Sequence, residues 1–504
     1  MKEKENGQRK PNFLLIMCDQ FRFDCIHALG NEKIHTPNLD RLVRRGVSFL
    51  NAYSTCPVCV PARYTLRTGR EPYHTGYYEN AYQPTIMDGQ PEEIGERCGG
   101  YLATAMKARG YRAFGIGKFH TLPVFKEDCG YDIQLNTEEL WFSMEDRRCD
   151  DYYMFMRTQH PEYNHIEQLH GERTNMYYVP QVSPFPAELT VEGYVADKTV
   201  ELLSEYPQDS PYFGFVSFIG PHPPCAPPIP FNRMYNPDKM DSPIRGEEEN
   251  DLMDEQIRYM NHLIWADEIN DFAAKNLKSR YYGEITYIDE CIGKILDAVE
   301  TREDAEDTVI CFVADHGDHL GDHGGWQKES YFEQSTKIPF LLSWPGKIQP
   351  GITKELVCLT DVFGIATQCA GERELGDGCP VLDSVLGLGL GREEIFACYG
   401  VPGTRAFKFM VRKGSWKYIY FSNGGREQLF HLEEDPQELN NRADIAKEIR
   451  DELKEIGRKK CMQQGLRAAL SGDALKVFSY YERPKERICQ FDYSAGIYDF
   501  VDSE

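Results

Sequence analysis

The chain lacks any long hydrophobic run. Its first apolar stretch, Phe13 to Cys18, follows a polar opening and is too short for a secretory core or a membrane span. No later run reaches membrane length, so no membrane partner is expected. Basic residues are also scarce: 56 Lys and Arg stand against 80 Asp and Glu, a net charge of −24. Nucleic acid needs a basic face that releases counterions, so it is excluded as a partner, and long polyanions are disfavoured. A small anion drawn into a locally positive pocket stays compatible with that charge. Paired C-x-x-C motifs are missing, which argues against a structural zinc domain. Sixteen cysteines without an export signal read as reduced thiols in a cytoplasmic protein, not as a disulfide framework. There are no internal repeats and no low-complexity segment.

What is present suits a large globular enzyme. The 504 residues, 41% hydrophobic and 12% aromatic, can bury a sizeable core. Strands are expected at Phe13 to Met17, Tyr111 to Ile116, Tyr212 to Ile219, Thr308 to Val313 and Ile338 to Ser343. Helical spacing is expected after Thr36-Pro37, over Leu102 to Arg109, Val191 to Tyr206 and Tyr287 to Glu300. Strand-helix alternation of this kind predicts an α/β fold, with a large, mostly parallel sheet sandwiched by helices. A glycine-rich stretch, VLGLGLG, ends at Gly391 and is followed by short alternating runs, a helix over Ala443 to Gly457 and an aromatic tail. The expected division is a catalytic domain over 1–390, with an irregular insertion at about 128–186, and a smaller antiparallel α+β domain over 391–504. The acidic run at 246–251 reads as surface.

The first four strands each deliver charged or imidazole groups just past their C-terminal ends, where open α/β sheets bind ligands. Asp19, Gln20, Asp315 and His316 supply three oxygen donors and an imidazole, a set suited to one divalent metal. Oxygen donors put calcium ahead, with magnesium open, and His316 adds weight to manganese. Lys118, His120, His222 and Lys328 gather at the same sheet edge and would make a pocket for a compact oxyanion such as sulfate or phosphate.

The stretch Ser54 to Arg70, STCPVCVPARYTLRTGR, contains two overlapping signals. Cys56 and Cys59 form a C-x-x-C pair, the spacing of a redox dithiol, but without the strand-turn-helix context of a thioredoxin site. Cys59-x-Pro61-x-Arg63, continuing to Thr68-Gly69-Arg70, resembles the signature of the type I, formylglycine-dependent sulfatases of the alkaline phosphatase superfamily. Thr36 to Asp40, GVSFLNAY at Gly46 to Tyr53, Gly117 to His120, Asp315 to Asp318, Ile338 to Gly346, and Trp416 to Ile419 with Leu429 to Pro436 carry the resemblance along the chain.

The resemblance implies a sulfuric ester hydrolase acting on a small alcohol, phenol, steroid or sugar sulfate. Cys59 would be oxidised to formylglycine by a maturase acting on the unfolded chain, and its hydrated aldehyde would attack sulfur. Asp19, Gln20, Asp315, His316 and the modified Cys59 would hold the metal. Arg63 and Lys118 would steady the nucleophile; Lys118, His222 and Lys328 would bind the sulfuryl group. His222 would protonate the leaving group, and His120 would take the proton whose loss expels sulfate. The chain departs from the commoner pattern at Gln20, His316 and Phe119. Gln20 and His316 stand where many members have Asp and Asn, and Asp19 to Asp24 looks more like the subgroup containing phosphonate monoester hydrolases and some choline sulfatases, so a phosphonate or phosphodiester hydrolase on the same site is the alternative. A thiol-based redox or anion-binding protein is the third reading. Trp141, Phe142, Tyr152, Tyr153, His165 and Arg173 are candidate pocket walls, and the tail aromatics Phe491, Tyr493, Tyr498 and Phe500 are candidates for docking on the chain's own body or in a homo-oligomer.

Overall fold

The computed structural model describes residues 9–139, 141, 143–172, 178–246, 254–389 and 391–482. The acidic run beyond Gly246, Phe142, Arg173 and the tail aromatics lie outside the described residues. Eight strands form the main sheet: β1 (Asn12–Cys18), β2 (Val47–Tyr53), β3 (Arg112–Gly117), β4 (Ile133–Asn136), β5 (Tyr212–Phe218), β6 (Thr308–Ala314), β7 (Phe340–Ser343) and β8 (Gly351–Cys358). Their order is β4-β3-β5-β1-β6-β7-β2-β8. All pairs are parallel except those made by β7, which runs antiparallel to both β6 and β2. The expected α/β architecture is therefore present as a mixed, mostly parallel sheet.

Strand β1 reads NFLLIMC and every residue in it is buried, as a strand covered on both faces requires. Three strands carried no continuous apolar signal. One is β8, GITKELVC, whose first half is exposed or half-exposed and alternates with Lys and Glu. The others are β2, whose middle is only partly buried, and the four-residue β4. The helix expected from Tyr287 spans Asp271–Glu300, because Asn270 caps the amide of Ala273 and the apolar spacing runs on through Leu277, Tyr281 and Ile285. It packs beside Val191–Glu205, which Thr190 caps through Gly193 N. Among the described residues no helix is long and apolar enough to cross a membrane.

A second, antiparallel sheet has the order β12-β11-β10-β9, formed by β9 (Glu394–Tyr399), β10 (Lys408–Lys413), β11 (Trp416–Phe421) and β12 (Arg426–His431). The helix Lys447–Gln463 lies on it, close enough that a Cβ on Gly457 would sit 2.1 Å from the Phe409 ring. Buried ion pairs join this sheet to the first body: Lys417 Nζ contacts Glu333 at 2.9 Å, and Lys408 pairs with Asp254.

One glycine at the end of β3 is fixed by geometry. Gly117 has φ +111°, and a Cβ there would lie 1.8 Å from the Ser217 carbonyl oxygen on β5. Gly117→Ala should therefore cost about 3 kcal/mol or more, combining left-handed strain with overpacking. The check is the midpoint of thermal unfolding, where an unchanged value would show that β5 can give way.

Candidate active site

The central strands β3, β5, β1 and β6 place their following residues at one edge of the sheet. Asp19 and Gln20 follow β1, Lys118 follows β3, Ser217 ends near the close of β5, and Asp315 and His316 follow β6. Facing them is the helix Cys59–Thr68, all ten of whose residues are buried. Cys59 is its first residue, so its side chain sits in the positive field of the helix N-terminus. Pro61 falls in the first turn, where its missing N–H costs nothing. The second half of the signature is structural: Thr68 Oγ1 donates to Tyr64 O, and Gly69 ends the helix at φ +64° against the Phe363 ring. Gln20, His120 and the residues on either side of Lys328 (Gln327 and Glu329) all have left-handed φ values between 52° and 77°. Such strain in non-glycine residues clusters at functional sites.

Asp19, Cys59, Asp315 and His316 are all buried, and each offers one ligand atom within 4.8 Å of the others. His316 Nε2 lies 3.2 Å from Cys59 Sγ and 3.7 Å from Oδ1 of both Asp19 and Asp315. Cys59 Sγ is 3.9 Å from Asp19 Oδ1. Ligands at about 2.4 Å from a cation are separated by about 3.4 Å along an octahedral edge, so these spacings suit one divalent ion. Arg63 organises it from behind: Nη2 holds Asp19 Oδ2 at 3.0 Å and Nε holds Asp315 Oδ2 at 2.9 Å, while both Oδ1 atoms stay with the cluster. Its remaining nitrogen donates to Lys118 O and to Ser217 Oγ at 2.9 Å. Burial would raise the Asp19 carboxyl, but Lys118 and Arg63 outweigh it and hold it well below the usual range. Burial disfavours charge on His316, yet Asp315 and Cys59 raise it to about 8. Gln20, the remaining expected ligand, accepts at Oε1 from Lys328 Nζ (2.7 Å) and donates from Nε2 to Asp318 and the Tyr178 hydroxyl.

The expected cations and imidazoles lie in the same network. Lys118 Nζ is 2.6 Å from both Asp19 Oδ2 and Glu139 Oε1. His222 donates from Nδ1 to Pro223 O at 2.7 Å, and Glu139 Oε2 lies 2.9 Å from the same nitrogen. Burial depresses His222 to about 3, and Lys328 adds to this against the pull of Glu139. Burial, with Lys118 beside it, keeps His120 well below its ordinary value, and its Nδ1 has no hydrogen-bond partner among the described residues. A neutral imidazole of this kind can accept a proton.

Cys56 is buried, 3.5 Å from Tyr78 O, and all fifteen described cysteines are free thiols. The C-x-x-C pair is thus not a disulfide here. Of the proposed pocket walls, Trp141 and Tyr152 are buried, donating to Asp150 and to Leu189 O, whereas His165 is exposed.

The residues not expected from sequence come from the insertion. Glu139 bridges Lys118 and His222, and Glu138 Oε1 accepts from the amides of Phe119 and His120 at 2.8 Å. Burial raises Glu138 to about 7. Asp150 in turn holds Glu138 N at 2.7 Å. Glu138 and Glu139 follow the C-terminal end of β4 just as the other groups follow their strands, but that four-residue strand gives no apolar run to read.

Comparison with known proteins identifies the family. The family model described as Sulfatase matches residues 11–372. The chain is 30% identical to an arylsulfatase of Clostridium perfringens over 455 residues, covering 86% of this chain and 90% of that protein. It is 29% identical to a choline-sulfatase of Rhizobium meliloti, covering 86% and 83%. Among solved structures, the phosphonate monoester hydrolase of Agrobacterium radiobacter superposes with a TM-score of 0.72 at 23% identity, over 91% of this chain and 96% of that one. A 2-O GAG sulfatase superposes at 0.71 and 20% identity, over 93% and 95%. With the family match spanning most of its length, the chain belongs to the sulfatase family.

Proposed function

We propose that this sulfatase cleaves sulfate monoesters of small alcohols, phenols, steroids or sugars, using a formylglycine made from Cys59 and one divalent metal, calcium first. The observation that carries the reading is the convergence of Asp19, Cys59, Asp315 and His316 beside Arg63, Lys118, His222 and Lys328. When present, the metal would polarise the sulfuryl oxygens and favour an ionised nucleophile. A formylglycine hydrate supplies one hydroxyl to attack sulfur and a second whose deprotonation lets sulfate depart. Cys59 is only 1% exposed, which supports maturation of the unfolded chain by a separate enzyme.

The chain's own residues divide the remaining work. Arg63 locks both aspartates so that their free oxygens face inward. Lys118 and Lys328 place positive charge where the sulfate group would sit. His222 would deliver a proton to the leaving oxygen through Nε2, because Nδ1 is committed to Pro223 O. His120, held neutral by burial, would accept the proton from the second hydroxyl.

Gln20 and His316 favour a second reading, hydrolysis of phosphonate monoesters or phosphodiesters in the same pocket. Rates on 4-nitrophenyl sulfate and on the matching aryl phosphonate separate the two. The expected result is a higher kcat/KM for the sulfate, and a clear preference for the phosphonate would reverse the assignment.

A further inference from the structure

His222 stands out because its surroundings contain more carboxyl groups than the reaction needs. A small cavity of about 30 Å³ adjoins it, faced by Glu139, His170, Glu192 and Glu284. That volume admits about one water molecule. On its other sides the charged groups are Lys328, Lys118 and Asp19. Burial raises Glu192 to about 7 and Glu284 well above its ordinary value, so both hold protons readily near neutral pH. Glu139 differs from them. Its Oε1 forms an ion pair with the Lys118 ammonium at 2.6 Å, and its other oxygen is 2.9 Å from His222 Nδ1.

We infer that Glu139 is a positioning residue for this reaction: a carboxylate supplied by the insertion that ties Lys118 to His222 and stabilises His222 as an imidazolium while its Nε2 proton passes to the leaving oxygen. The inference rests on the reading of His222 as the general acid. The step balances without any further reagent. With the anionic sulfate group beside it opposing the depression that burial imposes, His222 enters the step with protons on both nitrogens; the attacking hydroxyl oxygen bonds to sulfur as the ester S–O bond breaks, the electron pair goes to the leaving oxygen, and the Nε2 proton follows it. The ring is left neutral with its Nδ1 proton still donated to Pro223 O and the Glu139 carboxylate 2.9 Å from that nitrogen. Glu139 never gives up or takes a proton. It makes the doubly protonated ring less costly in a pocket that otherwise opposes it, since Lys328 and Lys118 both push against a positive charge there.

The test is a series of substituted phenyl sulfates, from nitrophenyl to unsubstituted phenyl, on the matured enzyme. Proton delivery matters most for the poorest leaving group. Losing an opposite charge within hydrogen-bonding distance shifts a titration by about one unit or more. Glu139→Gln should therefore lower kcat/KM on phenyl sulfate about tenfold more than on nitrophenyl sulfate. The ratio between two substrates does not depend on how much of the variant folds. Glu139→Asp, which keeps the charge, should recover most of it. His222→Asn should steepen the series further, and adding Glu139→Gln to that variant should steepen it no more. A Glu139→Gln variant that slows both substrates equally, with His222→Asn still steep, overturns the role of Glu139 alone. A flat series in His222→Asn removes the general acid and the inference with it.

Discussion

Replacing Cys59 with alanine should reduce turnover of 4-nitrophenyl sulfate by at least about 10⁴-fold, the scale seen when a nucleophile is deleted from a working constellation. The fold should survive. Cys59 packs at the start of a fully buried helix, and alanine removes only its sulfur, leaving backbone hydrogen bonds such as Ala62 N to Val58 O untouched. The loss belongs to chemistry, because Arg63, Lys118 and His222 would still bind an anion but would have no atom positioned to attack it. Turnover and the thermal midpoint are measured on the same preparation, so an inactive but folded variant is distinguished from a misfolded one. Intact mass completes the test. The matured parent should be about 18 Da lighter than its encoded chain, as conversion of a thiol to an aldehyde demands, whereas a Cys56–Cys59 disulfide would remove only about 2 Da. Near-parental turnover in Cys59→Ala would refute the assignment of the nucleophile.

The catalytic edge was legible because its strands are buried on both faces and therefore announce themselves as apolar runs. Asp19, Lys118, His222 and Asp315 each follow such a run, and position after a strand end is what places them together. The same rule applies to Glu138 and Glu139 but could not be used, since β4 has only four residues, IQLN, with one fully buried. β8 was invisible for a related reason, as an edge strand whose outer half is solvated shows no continuous hydrophobic pattern. Motif residues were legible as identities, though not as roles. Arg63 was expected to steady the nucleophile, and its geometry shows more, a guanidinium clamp that sets which oxygen of each aspartate faces the cluster. Asp318, the last residue of the Asp315 to Asp318 segment, accepts from the Gln20 amide and the Tyr178 hydroxyl at 2.6 Å each. That contact crosses from the insertion to the main sheet, and spacing cannot reveal it.

Asp315→Ala should remove bound metal and activity together. Asp315 does more than supply one ligand oxygen: Oδ2 holds Arg63 Nε at 2.9 Å, and Oδ1 accepts from the amides of Gln20 and His316 at 3.0 and 2.9 Å. Removing it leaves a buried guanidinium short of a partner and frees two amides that orient the neighbouring ligands. Changing a group that merely orients a ligand costs about 10 to 100-fold in metal affinity. Deleting both ligand and orienting contacts should exceed that, so the purified variant should hold well under one metal per chain. The measurement is metal content by mass spectrometry, before and after dialysis against a chelator. The parent should lose activity on dialysis and regain it with added calcium, while Asp315→Ala should regain neither metal nor activity. Asp318→Asn is the graded comparison: its carboxyl is equally buried but lies outside the four converging groups and only holds Gln20 and Tyr178, so it should weaken metal binding about 10 to 100-fold and retain more metal than Asp315→Ala. An Asp315→Ala protein with a full complement of metal would show that the ion is held elsewhere, and the cluster of Asp19, Cys59 and His316 would then have to be explained by the anion site alone.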